Sequence, residues 1–250
     1  MAAADLASSL SLVDYAPYDD ATQMDRKIDR YPLSFTRTPS QPLIARPLTR
    51  SERTGPWDLD RLLEISPKPA EAALAGASPQ TAVGQLIWVE GRVCDQDGRP
   101  IPNATMEIWQ ANSAGRYVHE MDNNTAAPVD PHFHGTGRLR TGPEGEFRIQ
   151  TVKPGAYPVL GSGFWWRPPH IHFSIFGVSW MDRYITQIFF PGEPLNKVDL
   201  LLNGVRNEEA RQRLIFDALT PSMAAPGESC LMGYKLDFVL RGKHATPQLD

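Results

Sequence analysis

Residues 85–112 read QLIWVEGRVCDQDGRPIPNATMEIWQAN, and this stretch decides the fold. Ile87, Val89, Gly91 and Val93 fall at every second position, so they share one face of an extended strand. Asp97-Gly98 then supplies a hairpin signal, and TMEIWQAN reads as the next strand. Further along, GRLRT, the turn GPEG and EFRIQTV form a second hairpin pattern. HIHFSIF, YITQIFF and YKLDFVLRG complete the strands, and in the last Tyr234, Leu236, Phe238 and Leu240 alternate with Lys235 and Asp237.

One helix stands out over 207–219, NEEARQRLIFDAL. It has Asn207 as N-cap, Glu208 and Glu209 in the first turn, and apolar Leu214, Ile215 and Ala218. The 23 prolines and 19 glycines break the chain too often for βαβ units. The pattern predicts an all-β domain over 85–250, an antiparallel β-sandwich with one or two short helices.

Residues 1–84 differ. YPLSFTRTPSQPLIARPLTRSERTGPW is Pro-, Arg- and Ser-rich, and PKPAEAALAGASPQTAVG is Ala-rich. Such a segment has little apolar surface of its own. The expectation is an extended N-terminal arm that packs on its own domain or on a partner subunit.

A net charge of -4 argues against a general nucleic-acid binder. Cys94 and Cys230 follow no metal-binding or redox spacing, which suits reduced thiols in a cytoplasmic enzyme. The first residues lack a basic leader pattern, and no apolar run approaches the roughly 20 residues a membrane span needs. A cytoplasmic protein without a membrane segment is expected.

The chemistry concentrates at 165–177, WWRPPHIHFSIFG. In a strand His170 and His172 point to one side together. Two adjacent imidazoles each need partners for two nitrogens, and a metal ion satisfies one nitrogen of each. A second pair, His132 and His134, lies in the loop VDPHFHGTG, where no periodicity orients the rings together. His119 and His244 stand singly.

No acid lies between Ile171 and Met181, so a two-His-one-carboxylate site lacks its third ligand nearby, and zinc lacks its thiolates. The remaining hard donors are tyrosines in unusual settings, Tyr117 after ANSAGR and Tyr157 in KPGAYP. A tyrosine in a turn ordinarily serves packing, so spacing alone leaves the coordination sphere open. Two phenolates with two imidazoles would select Fe(III).

Four motifs in this order, EIWQANSAGRY, KPGAYP, WRPPHIHF and ITQIFF, resemble the signature of the intradiol ring-cleaving dioxygenases. Within that family the pattern is most similar to the iron-carrying β subunits of the protocatechuate-cleaving members. The resemblance is strong over about 84–242 and reaches more weakly into YPLSFTRTPSQPLI. It implies one Fe(III) per chain held by Tyr117, Tyr157, His170 and His172, with Tyr157 also acting as a base. Arg167 matches the family's active-site arginine, Gln187 a polar group of the same pocket, and Tyr31 a tyrosine near the substrate.

The implied reaction is O2-dependent intradiol cleavage of protocatechuate to 3-carboxy-cis,cis-muconate, on the β-ketoadipate route of aromatic catabolism. The implied partner is a homologous α subunit. One departure bears on the substrate: Val159-Leu160 stands where close relatives carry Trp-Arg near the ring substituent, which leaves another 4-substituted catechol, such as 4-sulfocatechol, as the alternative. The stretch GRVCDQDGRPIPNATMEIW also resembles transthyretin-like binding modules, which need no such set of two Tyr and two His.

Overall fold

A computed structural model of the chain describes residues 82–163, 165–176, 183–219 and 232–240, together with Met24, Ile28, Tyr31 and 39–41. The greater part of the expected arm, Cys230 and His244 lie outside the described residues.

Eleven strands are described: β1 (Leu86–Asp95), β2 (Thr105–Trp109), β3 (Thr136–Arg140), β4 (Glu146–Val152), β5 (Tyr157–Pro158), β6 (Trp166–Arg167), β7 (His170–Phe176), β8 (Arg183–Phe189), β9 (Asp217–Leu219), β10 (Met232–Lys235) and β11 (Phe238–Leu240). Two five-residue helices, α1 (Leu200–Gly204) and α2 (Glu208–Gln212), follow β8. One sheet runs β4-β1-β10-β9, with β11 beside the end of β1; the other runs β3-β2-β7-β8. The facing sides meet in one core. Ile87, Val89 and Val93 come from the first sheet, Met106, Ile108, Ile171, Phe173 and Ile175 from the second. The all-β sandwich follows from the two-residue period, which sends alternate side chains inward.

Three details depart from the expected pairing. β1 pairs with β10 and β11 in parallel, so the first sheet is mixed rather than purely antiparallel. YKLDFVL is not one strand: Leu236 leaves the ladder with its carbonyl against Gly91, where any Cβ would collide with it. The turns at Asp97-Gly98 and at GPEG both form, but β1 and β2, like β3 and β4, belong to different sheets, so each connection carries the chain across the sandwich instead of joining paired strands.

The helix expected over 207–219 stops at Gln212. Its start is as anticipated, with Asn207 Oδ1 accepting from Ala210 N at 2.9 Å. Leu214, Ile215 and Phe216 are three consecutive apolar residues, more than a single helical stripe can bury. The chain instead extends: Leu214 and Phe216 exchange backbone hydrogen bonds with Phe189, and Phe216 enters the core. Tertiary pairing here overrides local propensity.

Of the arm, Met24 bridges to Val205, and Tyr31 donates its N–H to the Ile28 carbonyl. Among the described residues no helix is long and apolar enough to cross a membrane.

Candidate metal centre

β7 has two faces with different tasks. Ile171, Phe173 and Ile175 enter the sandwich core, while His170 and His172 emerge on the opposite side of the sheet. Their ring centroids are 4.8 Å apart. His170 sits opposite Phe189 and His172 opposite Gln187 on β8, and Trp109 on β2 pairs with His172 from the other side. The Trp109 indole stacks on the His172 ring at 4.8 Å and 8°, which restricts its rotation. The Pro168 carbonyl lies 2.7 Å from His170 Nδ1, so the ring donates there and turns the Nε2 lone pair to the site.

Tyr117 ends a compact loop after β2. Asn112 Oδ1 accepts from the N–H groups of Ala114 and Arg116, both at 2.9 Å, closing the turn. Asp122 then holds Tyr117 itself, accepting from its N–H at 2.8 Å. Gly115 has φ +79 and lies against the Ala156 carbonyl, where a Cβ would clash. Only glycine lets this loop approach the one carrying Tyr157 so closely.

The second loop delivers Tyr157 and Arg167 together, because β5 and β6 form a two-residue ladder in which these residues are direct partners. Arg167 is buried, 5% exposed, and donates from Nε to Asp199 Oδ2 at 2.8 Å. Its Nη2 donates to Gln187 Oε1. Trp165 and Phe189 lie under the guanidinium at 5.5 and 6.0 Å. Asp199 is fully buried, and its other oxygen caps α1. Removing either partner of such a pair strands a buried charge, at a cost of about 3–5 kcal/mol.

Four donor atoms converge. Tyr117 Oη lies 3.4 Å from His170 Nε2 and 3.1 Å from His172 Nε2; Tyr157 Oη lies 3.3 Å from His170 Nε2; and the two Nε2 atoms are 3.2 Å apart. The two imidazole nitrogens have no hydroxyl between them, and the three contacts to a phenol, at 3.1–3.4 Å, lie at or beyond the long end of the hydrogen-bond range. These separations match the edges of a coordination polyhedron, since bonds of about 2.1 Å at angles of about 95–110° put donors roughly 3.1–3.4 Å apart.

Electrostatics agree. Burial, then the Arg167 charge and His172, holds His170 well below the ordinary imidazole range; burial and Arg167 bring His172 down to about 3. Both rings are therefore neutral at pH 7, as ligation requires. Burial pushes Tyr117 well above the ordinary phenol range, reinforced by Tyr157 and opposed by Arg167. Tyr157 is also raised by burial, with Arg167 opposing. A cation at the convergence point reverses the balance for both phenols. Among the described residues no group of three or more His, Cys, Asp or Glu is placed to hold a metal, so a centre here requires the phenols. Two phenolates and two imidazoles fit Fe(III).

A cavity of about 430 Å³ opens beside these atoms, lined by Tyr31, Trp109, Tyr117, Tyr157, Arg167 and His172, among others. Tyr31 reaches it from the arm and meets Trp165 edge-on at 5.3 Å. Val159 and Leu160 form part of its wall. Gln187 reaches the cavity through Arg167 rather than by lining it. His132 and His134 are exposed on either side of the buried Phe133, away from any shared centre.

Sequence reasoning missed Asp199, although an Asp before LLLNG is a helix-start signal, and it missed Trp109, which ends β2 on the histidine face. It also passed over His119, which lies on the cavity rim.

The family model described as Dioxygenase matches residues 66–242. A protocatechuate 3,4-dioxygenase beta chain from Burkholderia cepacia is 41% identical over 226 residues, covering 87% of this chain and 89% of that protein. A 6-chlorohydroxyquinol 1,2-dioxygenase from Cupriavidus pinatubonensis is 30% identical over 57% of this chain and 56% of its own length. The solved structure of a hydroxyquinol 1,2-dioxygenase from Pseudomonas putida DLL-E4 superposes with a TM-score of 0.54 at 22% identity, covering 84% of this chain and 70% of that one. That last likeness concerns the fold.

Proposed function

Because the chain belongs to the intradiol ring-cleaving dioxygenases, we propose that it cleaves protocatechuate between its two hydroxyl-bearing carbons with O2, giving 3-carboxy-cis,cis-muconate. The observation that carries this reading is the convergence of two phenol oxygens and two imidazole nitrogens beside a buried arginine. The preference for protocatechuate rests on the Burkholderia cepacia relative.

In this reading Tyr117, Tyr157, His170 and His172 hold one Fe(III). Bound there, Fe(III) would supply Lewis acidity toward a catecholate. Tyr157 accepts a catechol proton at Oη and becomes a neutral phenol, the state that its burial favours. Arg167, itself buried, stabilises negative charge developing on the substrate. Trp109 keeps the His172 ring in place by stacking, and Tyr31 and Trp165 flank the substrate. The name of the relative as a beta chain supports a second, homologous α chain as partner.

Mass and NMR analysis of the product formed under ¹⁸O2 tests the proposal. A muconate carrying both labelled atoms is expected from protocatechuate. Rapid cleavage of 4-sulfocatechol with protocatechuate untouched would move the assignment to that substrate; an aldehyde product of extradiol cleavage would overturn it.

A further inference from the structure

Asp199 has no place in the ligand set, yet it is a fully buried carboxylate with each oxygen committed to a different element. Oδ1 accepts from Leu201 N at 3.1 Å and Leu202 N at 2.8 Å, and Oδ2 accepts from Arg167 Nε at 2.8 Å. A helix cap needs a single oxygen, and Ser, Thr or Asn supplies it as well as Asp. Capping therefore does not account for the carboxylate's second oxygen, nor for its charge.

Arg167 itself hangs on a long side chain with several rotatable bonds. Its strand β6 is two residues long and cannot fix the guanidinium alone. The fork is held at Nε by Asp199 and at Nη2 by Gln187, with the rings of Trp165 and Phe189 within 6.0 Å of it. Among the described residues Nη1 has no acceptor, while Arg167 lines the cavity.

Resting on the functional reading above, we infer that Asp199 is a positioning residue for Arg167, locking the fork so that Nη1 remains the nitrogen that meets the substrate. Asp199 ties this orientation to the start of α1, so the segment after β8 and the β5–β6 loop hold the arginine jointly.

The test uses iron-loaded full-length protein, with any partner chain it requires, and the variants D199N, D199S, R167M and D199N/R167M. Both Asp199 variants keep a cap for α1, and both lose the anionic anchor. They are expected to retain about one iron per chain, the visible tyrosinate band and anaerobic protocatechuate binding within about threefold, while kcat falls roughly 10–100-fold. The double variant is expected to be no slower than R167M alone, within about twofold, because the two residues act as one unit. A D199S enzyme within about twofold of the unaltered kcat would overturn the inference. So would losses that multiply in the double variant, or a loss of kcat that merely follows lost iron or lowered Tm. An unaltered protein that binds iron without cleaving any catechol overturns the reading of the site itself, and this inference with it.

Discussion

Tyr157 and Arg167 stand directly opposite each other in the two-residue ladder of β5 and β6. One short pairing thus brings a phenol and a guanidinium to the same side of β7, where the two imidazoles emerge. A turn rich in glycine separates them in sequence, so only the ladder makes their spacing dependable.

Replacing Arg167 separates its charge from its packing. R167M keeps much of the side-chain bulk but removes the charge that lines the cavity, and on the proposed function kcat is expected to fall about 10²–10³-fold. Asp199 then becomes an unpaired buried carboxylate, lowering stability by about 3–5 kcal/mol. Steady-state kinetics per bound iron, with denaturant unfolding, measure both; an unchanged kcat would remove Arg167 from the chemistry.

Iron binding should depend steeply on pH. Burial holds Tyr117 well above, and Tyr157 above, the ordinary phenol range, so both are protonated at pH 7 before the metal arrives. Ligation by both phenolates releases about two protons, so apparent affinity should weaken as pH falls, by up to about two log units per pH unit. A competition titration with a chelator at several pH values reads the slope, and a flat profile would exclude phenolate ligation.

The metal-free protein should lose stability in mild acid. His172 titrates at about 3 in the folded chain and His170 is also held well below its ordinary value. An unfolded histidine takes up its proton near pH 6.5, so the unfolded state gains as pH drops from there toward 3. His172 by itself contributes at most about 5 kcal/mol to this effect, and His170 adds to it. H172Q should flatten the profile between pH 6.5 and 4 in thermal melts; an unaltered slope would show that other groups control it.

Gly115 is the tightest point between the two tyrosine loops. G115A must adopt φ +79 with a Cβ against the Ala156 carbonyl. The expected cost is about 1–3 kcal/mol, accompanied by lower iron occupancy because Tyr157 follows Ala156. Equal occupancy and Tm in G115A would show that the loops have slack.

Much of this architecture is legible in the sequence because strand periodicity reports which face is buried. The alternation through His170–Phe176 is enough by itself to put both imidazoles on one face. The strand partners are less accessible, since periodicity says nothing about which sheet a strand joins; GPEG looks like a hairpin turn and crosses between sheets. Over 207–219 the amphipathic signal is outweighed by the burial of Phe216. Spacing alone cannot bring Tyr117 and Tyr157 to the histidines, because loops after β2 and β4 place them, and only the family motifs suggest the set. Asp199 escapes a sequence reading because its role exists only across the fold, 32 residues from Arg167.

The most direct test is the visible spectrum and iron content of the purified protein, before and after anaerobic protocatechuate, alongside Y117F and Y157F. The expected result is a broad tyrosinate-to-Fe(III) band with about one iron per chain, a shift of that band on adding protocatechuate, and an altered band or lost iron in each variant. A protein that stays colourless and iron-free when prepared with iron and with its partner chain would contradict it.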